Sequence, residues 1–400
     1  MSDVNRGRED RLLAWAVFAL VIVGLIVVYD ASFPKHGSSQ LLKQSIWAGI
    51  GLLAYVVGRR VSLTFLHKAA VPVFILSLGL MMAVLTPLGV ERNGALRWLK
   101  LGQIGAFEVL VQPSELGKIA LIVLLASLLG APNLVGSLQK TRKQNYLWAL
   151  LGILLAAGIV VKVQDDLGTA LVFAGIGVGM LFAAGLPFRR VALLVAVLAL
   201  AAVIFIFEKE YRLQRVIAFR QPFAYINTSG YQLAHSLMGI GSGGIWGAGL
   251  GMGRAKEFLP AAETDFVFTT VAEETGIFGS TAIMVLLALV SWRVLLVAHR
   301  AQAMFLLLLA GGLGFMVALQ SLLNLYVVTG AAPTTGVPLP FISYGGSSLV
   351  SLLFSIGLVQ KVASNPMMER VKEASDARAA GGWGNRRSSV SRREYRRGVA

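Results

Sequence analysis

The 400-residue chain contains no cysteine, and only 14% of its residues are charged against 56% hydrophobic. The first absence excludes disulfides, thiolate metal sites and cysteine nucleophiles. The second, with a mean hydropathy of +0.72, excludes an ordinary soluble domain. The first apolar run ends in Tyr29-Asp30 and lacks a small-residue cleavage site. It therefore reads as a first transmembrane helix rather than a signal peptide.

What the chain has is long apolar runs. A bilayer core takes about 20 mostly apolar residues per helix. Such runs lie near 13–33, 41–58, 70–90, 113–131, 146–163, 167–185, 189–208, 266–292, 301–328 and 341–362. The expected fold is an all-α polytopic membrane protein of about ten transmembrane helices with both termini on one side. Lys and Arg in the loops set its orientation. One set of short loops carries 13 of them and the other 6. The tail from 363 to 400 joins the richer side, so both termini are expected to be cytoplasmic. Three parts follow: a cytoplasmic segment 1–12, a membrane domain 13–362, and a basic cytoplasmic tail 363–400. A large loop, 209–265, between the seventh and eighth helices faces outward. The net charge of +16 reflects this bias and the tail stretch GNRRSSVSRREYRR. That stretch reads as an arm on anionic lipid rather than a nucleic-acid binder.

Polar residues concentrate in a few places. In QPSELGK (112–118), Glu115 and Lys118 stand three apart and share a helix face; the pair is structural, catalytic or both. In VQDDLGT (163–169), two adjacent aspartates sit on a short outward turn, and one of them suits a helix cap. Asp166 is the stronger functional candidate of the two. The segment 209–265 begins with charge, including Arg212 and Arg215, and then turns glycine-rich from 239 to 253. Arg254 and Lys256 follow. Free amides among cations suit a phosphate or pyrophosphate, although a flexible loop accounts for the glycines equally well.

The run LPAAETDFVFTTVAEETG (259–276) carries Glu263, Asp265, Glu273 and Glu274 beside hydrocarbon, where a carboxylate is costly. In a helix starting near Asp265, Glu273 lies about 80° round and Glu274 about 180°. The spacing does not form a metal dyad or a two-carboxylate glycosidase pair. Asp265 alone is placed for general-base work, with helix capping as the plainer alternative. Finally, TGAAPTTGVPLPFISYGGSS (329–348) is an uncharged, proline-stiffened loop containing Ser343. Gln320 and Asn324, four apart on the preceding helix, line the same cavity or serve helix packing.

Together, RNGALRWLKLG (92–102), QPSELGK, GYQLAHSLMGIGSGG (230–244), the GLG…LP…TDFVF…EE…G series (249–276) and PLPFISYGGSS (338–348) resemble the SEDS family, the RodA and FtsW proteins. The resemblance covers about residues 13–362. Gly249-Leu250-Gly251 leans towards FtsW, while Val337-Pro338 looks more like RodA. It implies a peptidoglycan glycosyltransferase that polymerises lipid II, an undecaprenyl-pyrophosphate-linked disaccharide-pentapeptide, at the outer face of the bacterial cytoplasmic membrane. A class B penicillin-binding protein and other divisome or elongasome membrane proteins are the implied partners, and nucleic acid is not among them. The family's essential aspartate maps onto Asp265, its ion pair onto Glu115 and Lys118, and its QPD aspartate onto Asp166. Two positions depart from the pattern: Glu-x-His before TDF is here Ala261, Ala262 and Glu263, and QPD is Gln164-Asp165-Asp166. A lipid pyrophosphate leaving group calls for Arg, Lys or a divalent cation such as Mg or Mn. Arg212, Arg215, Arg254 and Lys256 are the nearest cations by sequence. The rival readings are a lipid II flippase and a non-catalytic scaffold for the penicillin-binding protein. A flippase needs polar groups through both leaflets, whereas these clusters all lie in or near the outward half.

Overall fold

The computed structural model describes residues 9–92, 94–104, 107–130, 142–260 and 262–365. Arg6, Arg8, Lys140 and Ala261 therefore lie outside the described residues, as does the basic tail from 366 onward. The described chain is mostly helical. Seven helices are each long and apolar enough to cross a membrane: α1 (Arg11–His36), α2 (Ser39–Arg60), α6 (Arg142–Lys162), α8 (Phe188–Phe207), α12 (Val267–His299), α13 (Met304–Val328) and α14 (Gly346–Ala363). This is a multi-pass membrane protein.

Three further expected spans are shorter helices. They are α4 (Ala70–Met82), α5 (Pro113–Leu129) and α7 (Leu167–Ala183), with a six-residue α3 (Leu63–Lys68) before α4. Pro113 opens α5 at its first turn, where its missing N–H costs nothing. Although α5 carries Glu115 and Lys118, almost all of it is buried. It packs against α4, α6, α7, α13 and α14 and forms the centre of the bundle. Around it, α14 lies along α2, and α12 lies along α13 and α1. By contrast, α8 buries only Val191 and Phe205 and packs at the edge against α7.

The fold is not purely α-helical. The expected span 70–90 stops at a 3₁₀ turn over Ala83–Leu85. The chain then forms a three-stranded antiparallel sheet of β1 (Gly89–Arg92), β2 (Ala95–Ile104) and β3 (Phe107–Val111). Hydropathy carries on through Leu88 and Val90 without marking this switch. The segment 209–265 is likewise not simply a loop. It holds α9 (Glu210–Arg220), α10 (Tyr231–Gly243) and α11 (Ala255–Phe258). The last helix starts at Gly346, five residues after the expected 341.

The eighth expected span runs on to His299, and it is broken near its start. Gly276 takes φ 61°, ψ −155°, which interrupts the ladder of α12. The glycine-rich segment supplies the missing partners, because the Ile277 amide donates to the carbonyls of Gly244 and Ile245. A Cβ at 276 would stand 2.5 Å from the Gly247 nitrogen and the Ile245 oxygen. We therefore expect Gly276→Ala to cost about 1–3 kcal/mol, through both left-handed backbone and this contact. Thermal unfolding in detergent measures the loss. A variant as stable as the wild type would show that the glycine-rich segment does not seat against the break.

Candidate active site

The break in α12 leaves Glu273 and Glu274 facing the glycine-rich segment, and both carboxylates are fully used. Glu273 accepts from the amides of Arg254 (3.0 Å) and Ala255 (2.9 Å) and from Ser242 Oγ (3.4 Å). Glu274 accepts from the amides of Gly251 (2.9 Å) and Gly253 (3.0 Å). The Lys256 ammonium, itself buried, donates to Glu274 at 2.7 Å and to Asp30 of α1 at 2.6 Å. The amides that looked free for an oxyanion therefore hold two carboxylates of the same chain. Lys256 is engaged in the same structural knot.

This knot fixes where the chain enters α12, and residues 262–266 are pinned from the other side. Asn324 of α13 is buried and donates both to the Asp265 carbonyl and to the Val337 carbonyl, each at 2.8 Å. Ser343 Oγ donates to the Thr264 carbonyl at 2.6 Å and accepts from the Leu339 amide at 2.8 Å. The Tyr344 amide donates to the Glu263 carbonyl at 2.8 Å. Asn324 and Ser343 thus spend these groups on protein backbone. Gln320, one turn further along the same face, is also buried, and its Nε2 meets no partner.

What the pinning presents is the Asp265 side chain. Phe266, not Asp265, occupies the cap position of α12, and no side chain caps that helix. Among the described residues, no hydrogen bond or ion pair reaches the Asp265 carboxylate. It lies beside Gly336, whose φ of 75° leaves no room for a larger residue without strain: a Cβ there would stand 3.5 Å from Oδ2. Asp265 is partly buried. Burial raises its pKa to about 6; the Asp166 charge adds to the rise, Arg97 and Arg215 oppose it, and Glu263 adds again. Four ionisable groups scattered between residues 97 and 263 therefore surround one carboxylate.

The two adjacent aspartates divide their work. Asp166 caps α7, accepting from the Thr169 amide (2.9 Å) and hydroxyl (3.0 Å), and it pairs with Arg97 of β2 at 3.5 Å. It is both the cap and the neighbour of Asp265. Asp165 turns away, at φ 48°, to Lys209 (2.7 Å), Tyr211 (3.0 Å) and Arg212. Burial by itself would raise the Asp165 carboxyl, but these hydrogen bonds outweigh it and hold it below the usual carboxylate range. Arg212 also donates to the Phe205 carbonyl (2.8 Å) and lies over the Phe205 ring at 3.5 Å. Every nitrogen of its guanidinium is occupied, and it is buried.

The remaining candidates fall apart in space. Glu115 and Lys118 form a buried pair at 2.8 Å, and Ser351 of α14 donates to the second Glu115 oxygen at 3.3 Å. This pair locks α5 to α14. Arg254 is exposed and joins no ion pair among the described residues. Arg215 is exposed too, lies over the Tyr211 ring at 5.7 Å, and is one of the charges that act on Asp265. Arg97 did not stand out as a site residue in the sequence, where it counts only as one loop charge. Its signal was the motif RNGALRWLKLG, which places a cation on what proves to be a strand. Among the described residues, no group of three His, Asp or Glu side chains could hold a metal ion.

The chain matches the FtsW/RodA/SpoVE family, described as cell cycle proteins, over residues 11–367. It is 33% identical over 366 residues to the "Probable peptidoglycan glycosyltransferase FtsW" of Dichelobacter nodosus, covering 88% of each chain. It is 34% identical over 364 residues to the stage V sporulation protein E of Bacillus subtilis, covering 88% of this chain and 96% of that one. Among solved structures it resembles the rod shape determining protein RodA of Thermus thermophilus, at TM-score 0.65 and 30% identity over 89% of this chain and 96% of the other. A chain solved for "Structural coordination of polymerization and crosslinking by a peptidoglycan synthase complex" superposes at TM-score 0.73 and 30% identity, over 89% and 97%.

Replacing Lys256 by Met should leave the buried Glu274 and the partly buried Asp30 unneutralised and cost about 3–5 kcal/mol. Arg254→Ala, at an exposed and unpaired side chain, should stay within about 0.5 kcal/mol of the wild type. Thermal midpoints of the two variants, read side by side, test whether the knot is structural.

Proposed function

The chain belongs to the FtsW/RodA/SpoVE family of cell cycle proteins and is a peptidoglycan glycosyltransferase, and we propose that Asp265 is the general base with which it polymerises lipid II. The observation that carries this is the Asp265 carboxylate itself. It is partly buried, reached by no hydrogen bond among the described residues, and lifted to a pKa of about 6, while the nearby Glu273, Glu274 and Asp166 are held in place by hydrogen bonds. A base that works near neutral pH needs such a carboxylate, with access to a proton and no competing donor.

In the reaction, the 4-hydroxyl oxygen of the acceptor sugar attacks the anomeric carbon of the donor. The bond from that carbon to the lipid pyrophosphate breaks. The hydroxyl proton passes to Asp265, and the pyrophosphate leaves on its lipid carrier with the electron pair. Arg215 is the cation best suited to the leaving group, since Arg212 and Lys256 are spent on Asp165, Asp30 and Glu274.

The setting proposed is the bacterial cytoplasmic membrane, crossed ten times. The seven long helices are joined by α4, α5 and α7, with both termini cytoplasmic and the Asp265 end outward. The excess of Lys and Arg at the other end supports this orientation. A class B penicillin-binding protein is the proposed partner. The likeness to a chain of a complex that coordinates polymerisation and crosslinking supports it.

The test is polymerisation of labelled lipid II by the purified protein with its penicillin-binding partner made inactive as a crosslinker. Asp265→Asn should lose activity by about 10²-fold or more while remaining folded. Wild-type activity should fall away as pH drops through about 6. Equal polymer from both proteins would sink the assignment. The same carboxyl makes a stability prediction of known sign. Its folded pKa is raised, so ionisation penalises the fold: the penalty is absent below the ordinary value of 3.8 and complete above about 6. Asp265→Asn should therefore melt higher than the wild type at neutral pH, and the gap should close in acid.

A further inference from the structure

Arg97 makes contacts that no other cation near the site makes. Its Nε donates to the Gln164 carbonyl at 3.0 Å and its Nη2 to the Asp165 carbonyl at 2.6 Å, while Nη1 faces Asp166 Oδ2 at 3.5 Å. Three nitrogens thus engage three successive residues of one turn. That turn is strained, since Asp165 is a non-glycine residue at φ 48°. A planar, always-charged fork can hold two carbonyls and a carboxylate together; a lysine ammonium lacks that fixed geometry. Its side chain reaches the turn from β2, a strand held to its neighbours by the Lys100–Glu108 pair at 2.7 Å. The sheet is held to α14 by Ser347, whose Oγ donates to the Leu110 carbonyl of β3 at 3.4 Å and accepts from the Gln112 amide just beyond it at 3.0 Å. The guanidinium is therefore delivered by a fixed element.

We propose that Arg97 is a positioning residue for the glycosyl transfer: clamped on the 164–166 turn, it holds Asp166 in place and sets a positive charge that balances the two carboxylates Asp166 and Asp265. This rests on the reading of Asp265 as the base. Asp166 alone would place a fixed negative charge beside Asp265 and hold the proton on it. Arg97 offsets that charge from the sheet side, and Arg215 offsets it from α9. Glu263 adds to the negative side from the same segment as Asp265. Packed against the segment, α1 brings His36, which faces Glu263 at 3.8 Å, and Lys35, which donates to the Leu259 carbonyl; α13 brings the neutral Gln320 and Asn324, and the 329–345 loop brings Tyr344. The sign of the Arg97 effect follows: without it, Asp265 releases its proton at higher pH.

The readout is the pH dependence of polymerisation, which a purely structural tie would not move. Arg97→Gln should shift the acid limb upward by about half a pH unit or more, so that activity lost near neutrality returns on the alkaline side. Asp166→Asn removes the like charge and should shift the limb the other way. Arg97→Lys keeps the charge without the fork; its limb should stay near the wild type while its rate falls. Thermal midpoints show that each variant is folded. A folded Arg97→Gln with an unmoved limb, or one inactive at every alkaline pH, overturns the proposal. Polymer from Asp265→Asn in the same assay would instead overturn the base assignment beneath it.

Discussion

A carboxylate beside hydrocarbon must be neutralised or hydrogen-bonded, and the way this chain meets that demand organises everything around Asp265. Glu273 and Glu274 sit just before a broken helix turn, and backbone amides of residues 251–255 together with Lys256 satisfy them. A loop that would otherwise be a long glycine-rich excursion is thereby tied to α12 and, through Asp30, to α1. Without those bonds the entry to α12 has nothing to fix its direction. With them, the preceding residues arrive where Asn324, Ser343 and the Tyr344 amide can hold them.

Against that background two carboxylates of one segment stand out among the described residues: Asp265, and Glu263, whose Oε2 meets no partner and whose Oε1 only faces His36 at 3.8 Å. Glu115 has Lys118 and Ser351, Asp165 has three donors, and Asp166 has Thr169 and Arg97. Asp265 has its backbone held, and no described residue bonds its carboxylate. Proteins do not usually leave a partly buried acid unpaired for the sake of stability, because hydrogen bonds would lower its cost. The cost is instead tolerated where a proton must be taken up, and the surrounding charges then decide at what pH this happens. Here they oppose one another: Asp166 and Glu263 on one side, Arg97 and Arg215 on the other.

How much of this was legible in the sequence depends on the range of the interaction. Glu115 and Lys118 meet through helix periodicity alone, so three-residue spacing revealed them. Gln320 and Asn324 share a face for the same reason. That one of the two adjacent aspartates caps a helix was also readable; that it is Asp166, the one near Asp265, was not, because the Asp165 partners lie over 40 residues away on α9. The sheet is not legible because the charged stretch carrying Arg92, Arg97 and Lys100 reads as a short outward loop. With the sheet went Arg97, a residue whose role exists only once β2 lies against the 164–166 turn. The glycine-rich amides were legible as donors, but not their acceptors, since Glu273 and Glu274 are separated from them by the chain that carries Asp265. Local pattern gave the candidates; long-range pairing sorted them.

The short helices bear on how a lipid-linked sugar meets Asp265. At 1.5 Å per residue, the 13 residues of α4 and the 17 of α7 reach about 20 and 25 Å, less than the roughly 30 Å of a hydrocarbon core. The α7 cap is Asp166, so in the proposed membrane setting a helix too short for the hydrocarbon core would carry the site below the headgroups. Asn324 argues the same way, because it grips the Asp265 carbonyl about one turn before α13 ends at Val328. A base at that depth would be approached along the membrane plane, and α8 is the least buried of the long helices. On the proposed reading, a substrate whose anchor never leaves the bilayer would present its sugar at the level of the base. The partial burial that tunes Asp265 and the lateral approach of its substrate are two consequences of the same recess.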